Sequence, residues 1–258
     1  MLASLAPMAL VFVLVTLRLA AMMAVAPVFS SRTLPVTVRG ALVVLVAYAS
    51  MPMVMQAGGT PPDSVVAFAL LAGKELVIGA AFGLVAQMLF AAVQMAGALI
   101  DLQAGFAIAQ VVDPTSGTNV TVLGKFYNLV AVSAFLAVGG AQWLVAGIVR
   151  SFALVPPLET PNFDAVVRGV LDNADQIVLV AVQVGAPILV ALFVADVALG
   201  IVARSVPQMN VFIVGLPLKV GLALLGTAVL LPTTVGFVNE LTGRMLTDLS
   251  DMMRAAGG

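Results

Sequence analysis

Residues 64–100 limit most strongly what this chain can fold into. They form an almost unbroken apolar run of 37 residues, with Lys74 and Glu75 side by side inside it. As a single helix rising 1.5 Å per residue, the run would reach roughly 55 Å. A bilayer's hydrocarbon layer is only about 30 Å thick, so such a helix must break, tilt strongly or continue past the lipid. The charges add a second constraint. Lipid does not solvate ionised groups, so each must meet a partner or a wet cavity. The same conflict recurs at Arg18 in the first apolar run and at Asp196 in the fifth.

Six apolar runs are legible, at about 5–28, 40–56, 64–100, 126–149, 176–203 and 215–238. A spanning helix needs about 20 mostly apolar residues, and Gly, Pro and polar clusters separate the runs: Ser30 to Pro35, Gly58 to Asp63, residues 104–122, Pro156-Pro157, and Pro207 to Asn210. Composition agrees. Of 258 residues, 62% are apolar and 9% charged, against about a quarter charged in soluble domains. This excludes a soluble enzyme, and a net charge of −1 gives no footprint for nucleic acid. The fold class is therefore an all-α integral membrane protein of hydrophobic helices kinked at prolines. Cys and His are both absent, which removes disulfides, thiol and His-assisted catalysis, and His/Cys metal sites. No Gly-x-Gly-Asp run marks a membrane aspartyl protease, so the chain reads as a non-enzyme without metal or cofactor. No Lys or Arg precedes Arg18, so the first run reads as a retained anchor, not a cleaved leader. Basic residues orient the spans weakly: Arg32, Arg39, Lys125, Arg204 and Lys219 fall on one side, and Arg150, Arg168, Arg244 and Arg254 on the other.

Polar positions give finer expectations. Gln87, Gln94 and Asp101 recur every seven residues on one helical face, with Gly83, Ala91, Gly97 and Ala98 nearby and Gly79 paired with Gly83 at small-xxx-small spacing. Such a stripe suits either a conduit wall or close helix packing. Residues 105–122 contain an Asp113-Pro114 turn relaxed by Gly117; this segment is either an exposed connector or non-helical backbone lining an internal path. Pro187 predicts a kink in the fifth run, and Pro217 and Pro232 could bend the last. Thr160-Pro161 predicts a helix start, with Phe163, Val167, Val170, Leu171 and Ala174 on its apolar face. A second amphipathic stretch sets Leu241, Met245, Leu249 and Met252 against Glu240, Arg244 and Asp248. Met22-Met23 and Met51, Met53 and Met55 serve either as core fillers or as a seal.

Several strings, in order along nearly the whole chain, resemble the FliR/SctT family of export-apparatus proteins. They are Ala26 to Pro35, Lys74 to Gly79, Ile100 to Phe106 with Asp113 to Gly117, Phe126-Tyr127-Asn128, Phe193 to Asp196, Arg204 to Phe212, Gly215 and Pro217 to Lys219. The flagellar branch fits better than the virulence branch. The resemblance implies a subunit of the flagellar type III export gate in the bacterial inner membrane at the flagellar basal body, with much of the gate on the periplasmic side. It implies partners as well: FliP-like and FliQ-like subunits, FlhA-like and FlhB-like proteins, and unfolded flagellar subunits in transit. It also implies helical hairpins in the fold, with an FliP-like part over about 1–203 joined to an FliQ-like hairpin over about 204–258. In the family a loop plugs the closed pore, and its position matches Phe106, Gln110, Asp113, Pro114, Thr115, Ser116, Gly117 and Asn119. The gate itself hydrolyses nothing; in this family proton motive force and an associated ATPase drive export.

On this reading Gln87, Gln94 and Asp101 support the conduit wall or a subunit interface. Arg18, Lys74, Glu75, Asp196, Arg204, Gln208, Asn210 and Lys219 are expected in buried polar contacts. Lys74 and Glu75 lie about 100° apart on a helix and are expected to find different partners. The alternatives are the equivalent subunit of a virulence injectisome, or an autonomous ion-coupled transporter with Asp101 and Asp196 as carriers.

Overall fold

A computed structural model describes residues 2–30, 34–56, 62, 64–106, 121–208 and 210–258, with side chains from Pro7 onward. All regular structure among the described residues is helical. The helices are α1 (Leu2–Val25), α2 (Pro27–Ser30), α3 (Val36–Gln56), α4 (Val65–Ala104), α5 (Val122–Ala137), α6 (Gly140–Leu154), α7 (Phe163–Ser205) and α8 (Val211–Gly257). Five are long and apolar enough to cross a membrane: α1 from Pro7, α3, α4, α7 and α8.

The overlong run does not break. It is one helix of 40 residues with no internal proline, about 60 Å of rise. It stops at Gly105, whose φ of 93° is open to glycine and strained for other residues. There the Phe106 amide bonds back to the Asp101 carbonyl at 3.1 Å, which ties off the last turn.

The fourth run, by contrast, is two helices. α5 ends at Ala137 and α6 begins at Gly140, and between them Gly139 takes a φ of 78°. The two amphipathic stretches are not separate elements either. The first is the opening of α7, which continues through Pro187; the second is the close of α8, which continues through Pro217 and Pro232. The expected Thr160 cap is replaced by Asn162, whose Oδ1 accepts from the Ala165 amide at 3.3 Å. The Asn162 amide is held in turn by the Ala256 carbonyl at 2.8 Å. In the opening of α7 Phe163, Val167 and Leu171 are exposed, and Val166 is buried instead, on the face it shares at i,i+3 spacing with Gly169. Gly169 lies against Met252 on the buried side. On α8 the expected apolar face holds, with Met245, Leu249 and Met252 buried.

The chain divides into two compact units. The first comprises Met1–Leu89, Gly139–Asp175 and Thr242–Gly258; the second comprises Phe90–Val138 and Gln176–Leu241. In the first, α1 packs on α3 and α3 on α6, around Leu14, Leu19, Met22, Met23, Ile78 and Phe152. Met22 and Met23 are thus core fillers. Gly79 and Gly83 let α4 approach the α1 backbone: a Cβ on Gly79 would overlap the Arg18 carbonyl, and one on Gly83 would sit 2.8 Å from the Met22 oxygen. In the second unit Phe90 meets Phe135 edge to face at 5.2 Å. Tyr127, Ala131, Ala181, Ile188 and Ala223 are buried there.

Candidate functional site

The most deeply buried polar cluster lies in the first unit, where α1, α4 and the α6–α7 connection converge. Arg18 and Glu75 have side chains with no solvent exposure, and that of Lys74 is 4% exposed. Arg18 donates through Nε to Glu75 Oε2 at 2.5 Å and through Nη2 to Oε1 at 2.9 Å, a bidentate fork. Its remaining contacts are to Ser151 Oγ at 3.0 Å and the Val155 carbonyl at 2.9 Å, with the guanidinium carbon 4.4 Å from the centre of the Phe152 ring. Lys74 Nζ donates to the carbonyls of Pro156, Pro157 and Glu159 at 3.2, 2.6 and 2.7 Å.

Two cations thus face one carboxylate, and main-chain oxygens complete the shell. The Pro156-Pro157 pair suits this duty, because proline offers a carbonyl with no amide hydrogen to satisfy. Lys74 and Glu75 also pair directly at 2.9 Å, which the 100° divergence argued against. The long lysine stem swings its ammonium back to the neighbouring carboxylate. Ser151 and the proline carbonyls escaped the sequence reading; the doubled proline after an apolar helix was the available signal.

A second arrangement lies in the second unit. Asp101 is buried at the end of α4 and accepts from the Leu123 amide at 3.1 and 3.0 Å and from the Gly124 amide at 3.3 Å. Thr121, the residue at the N-cap position of α5, makes no side-chain cap, so a carboxylate from another helix serves the orphan amides and the positive end of the helix dipole. Close approach makes this possible: a Cβ on Gly97 would lie 2.5 Å from the Leu123 oxygen. One heptad earlier, Gln94 Oε1 accepts from Asn128 Nδ2 at 3.1 Å. Gln94 and Asp101 therefore both face α5, whereas Gln87 is exposed and belongs to the other unit.

Asp196 and Lys219 form an ion pair at 2.8 Å, with side chains 41% and 18% exposed. The pair lines a cavity of about 270 Å³ with Ala104, Gly105, Phe212 and Gly215. Arg204, Gln208 and Asn210, expected in buried contacts, are exposed on this chain. They sit at the end of α7 and in the short connection to α8, where the described residues supply no covering element. Asn210 instead caps α8 through the Phe212 amide at 3.1 Å. Of the expected plug residues, Phe106 is partly buried just after α4. Gln110, Asp113, Pro114, Thr115, Ser116, Gly117 and Asn119 lie outside the described residues. Among the described residues, no cluster of three carboxylates is placed to hold a metal ion.

The second unit carries large apolar side chains in the open. On α7, Val190, Phe193, Val194, Val197 and Ile201 follow helical spacing and are exposed; on α8, Val214, Leu218, Leu225 and Val229 do the same. The contrast with α4 is large: 61% of its apolar window is buried within the chain, against 17% for α8. Apolar stripes of this length must be covered by lipid or by other protein chains.

The profile of the bacterial export proteins, family 1, matches residues 9–245. The chain belongs to that family. Among relatives in the same length range, it is 32% identical to the flagellar biosynthetic protein FliR of Bacillus subtilis (strain 168) over 249 residues, 95% of each chain. It is also 32% identical to FliR of Escherichia coli (strain K12), over 92% of this chain and 90% of that one. The Yop proteins translocation protein T of Yersinia pestis is 30% identical over 83% of each chain. A bacterial export protein with five such helices is an integral membrane protein.

Proposed function

We propose that the chain is a structural, conduit-forming subunit of the flagellar type III export gate, through which unfolded flagellar subunits cross the inner membrane. The observation that carries this reading is the similarity to flagellar FliR proteins along 92–95% of the chain. The exposed stripes on α7 and α8 support it, since a subunit inside a larger assembly keeps apolar faces for its neighbours. FliP-like and FliQ-like subunits cover those faces in this reading, and FlhA-like and FlhB-like proteins adjoin the gate at the flagellar basal body. Residues 1–203 act as the FliP-like part and 204–258 as the FliQ-like part, which is not the expected hairpin, because α8 runs as one helix from Val211 to Gly257 with no turn inside it. Residues 105–122 plug the closed pore, and Gln87, Gln94 and Asp101 back the conduit wall or an interface. The role is structural, not catalytic.

The test is to purify the tagged chain from its native membrane in mild detergent and identify what comes with it. FliP- and FliQ-like proteins are the expected companions, and deleting the gene should abolish flagella. A functional homo-oligomer lacking those partners would overturn the proposal. The similarity to the Yersinia translocation protein favours a second reading, an injectisome subunit. That reading gains if the deletion leaves flagella intact and stops effector secretion. For the plug, removing residues 110–118 should make the gate leak small ions, and an unchanged conductance counts against it.

A further inference from the structure

A groove in the first unit takes no part in the Arg18 cluster. It lies between α6 and the last turns of α8 and encloses about 500 Å³, within the size range of small-ligand sites. Its floor is apolar, made by Phe82, Leu249 and Met253, all buried. Its depth depends on Gly147, where a Cβ would already lie 3.0 Å from Phe82 Cζ.

The charged groups lining it are Arg150 and Arg254, and no carboxylate lines it. Arg150 is exposed and has no ion pair among the described residues. Among the described residues Arg254 pairs with the exposed Asp251, one turn earlier on the same helix, at 3.1 Å. The Trp143 indole, 57% exposed, stands at the wall; this side chain favours the boundary between lipid and water.

An occupant must therefore join an anion to an apolar body. Inorganic phosphate supplies only the first, and an uncharged apolar helix only the second. The bilayer around these helices supplies both in one molecule, and basic pockets beside membrane helices suit anionic head groups. We propose that this groove binds one anionic phospholipid, its phosphate between Arg150 and Arg254 and an acyl chain over Phe82, Leu249 and Met253. The proposal rests only on the chain's being a membrane protein, and it stands or falls apart from the gate reading.

Native mass spectrometry of the assembly, purified in mild detergent and supplied with phosphatidylglycerol or phosphatidylethanolamine, tests it. The wild type should retain phosphatidylglycerol in preference. R150Q/R254Q should lower that retention roughly 30-fold, about fivefold per guanidinium, while R150K/R254K keeps most of it. Gly147→Leu should block both lipids with the arginines in place, so the proposal stays decidable if the glutamine variant fails to accumulate. Unchanged retention in Gly147→Leu overturns it. So does displacement of the lipid by inorganic phosphate alone, which would mark a phosphate site. A cross-link placing a partner subunit in the groove, with no lipid retained, overturns it as well.

Discussion

Glu75→Met probes what the buried cluster is worth. Methionine resembles glutamate in length and helix propensity, so the substitution removes the carboxylate and little else. The carboxylate now receives Arg18 at 2.5 and 2.9 Å and Lys74 at 2.9 Å. Without it, two cations remain enclosed with only neutral oxygens around them. Breaking one partner from a buried pair costs about 3–5 kcal/mol, and two stranded cations put this variant toward the upper end. The companion Arg18→Met/Glu75→Met removes more contacts and should cost less. Lys74 keeps its three carbonyls, and Ser151 still donates to the Ile148 oxygen at 2.6 Å. Of the cluster's acceptors, only the Val155 oxygen is stranded, a loss of about 1–3 kcal/mol. Lys74 loses its carboxylate in both variants, so only the stranding of Arg18 is relieved: the two changes should be non-additive, the double variant recovering about 1–2 kcal/mol of the single variant's loss. Trp143, the chain's one tryptophan, lies in the same unit. Its fluorescence during denaturation in mild detergent reads both variants. A single variant as stable as wild type, or a double variant less stable than the single, would refute the reasoning.

Asp101→Ala should strip the cap from α5, costing about 1–2 kcal/mol and raising hydrogen exchange at Leu123 and Gly124; unchanged protection there would show that the carboxylate caps nothing. Asp101→Asn keeps an acceptor and should fall between. Gly79→Ala drives a methyl into the Arg18 main-chain carbonyl and should cost about 1–3 kcal/mol. Gly73→Ala on the same helix meets open space and should gain about 0.5–1 kcal/mol in helix propensity; equal melting of the two variants would contradict the close approach. Lys219→Met breaks a part-exposed pair and should cost less than about 1 kcal/mol. A loss matching Glu75→Met would mean that this pair is far better shielded than its exposure indicates.

What could be read from the sequence follows from range along the chain. Arg18, Lys74 and Glu75 stood out because charge inside an apolar run demands a partner, and the cluster meets that demand. Gly79 and Gly83 were legible because four-residue spacing puts both on one face, against the α1 backbone. The turn at Gly139 was missed: hydropathy passes over a Gly139-Gly140 pair, and only the backbone angle reveals the break. Thr160 and Asn162 are equally good caps by residue type, and the choice fell to the Ala256 carbonyl, 94 positions away. No local pattern encodes that. Nor could periodicity separate Gln87 from Gln94 and Asp101, since one helical face serves both units.

The Arg18 cluster also sets a clock on synthesis. Arg18 precedes Glu75 by 57 residues and Ser151 by 133. At 5–20 residues per second, the carboxylate emerges roughly 3–11 s after the guanidinium, and the serine roughly 7–27 s after it. During the first interval α1 carries a positive charge whose partner in the folded chain has not yet been made; the one carboxylate synthesised before Glu75 is Asp63. The ion pair that holds Arg18 can therefore form only once α4 has been made. Slowing the ribosome between codons 18 and 75 lengthens that interval without changing the finished protein, and the expected outcome is a lower yield, read from accumulation in the membrane.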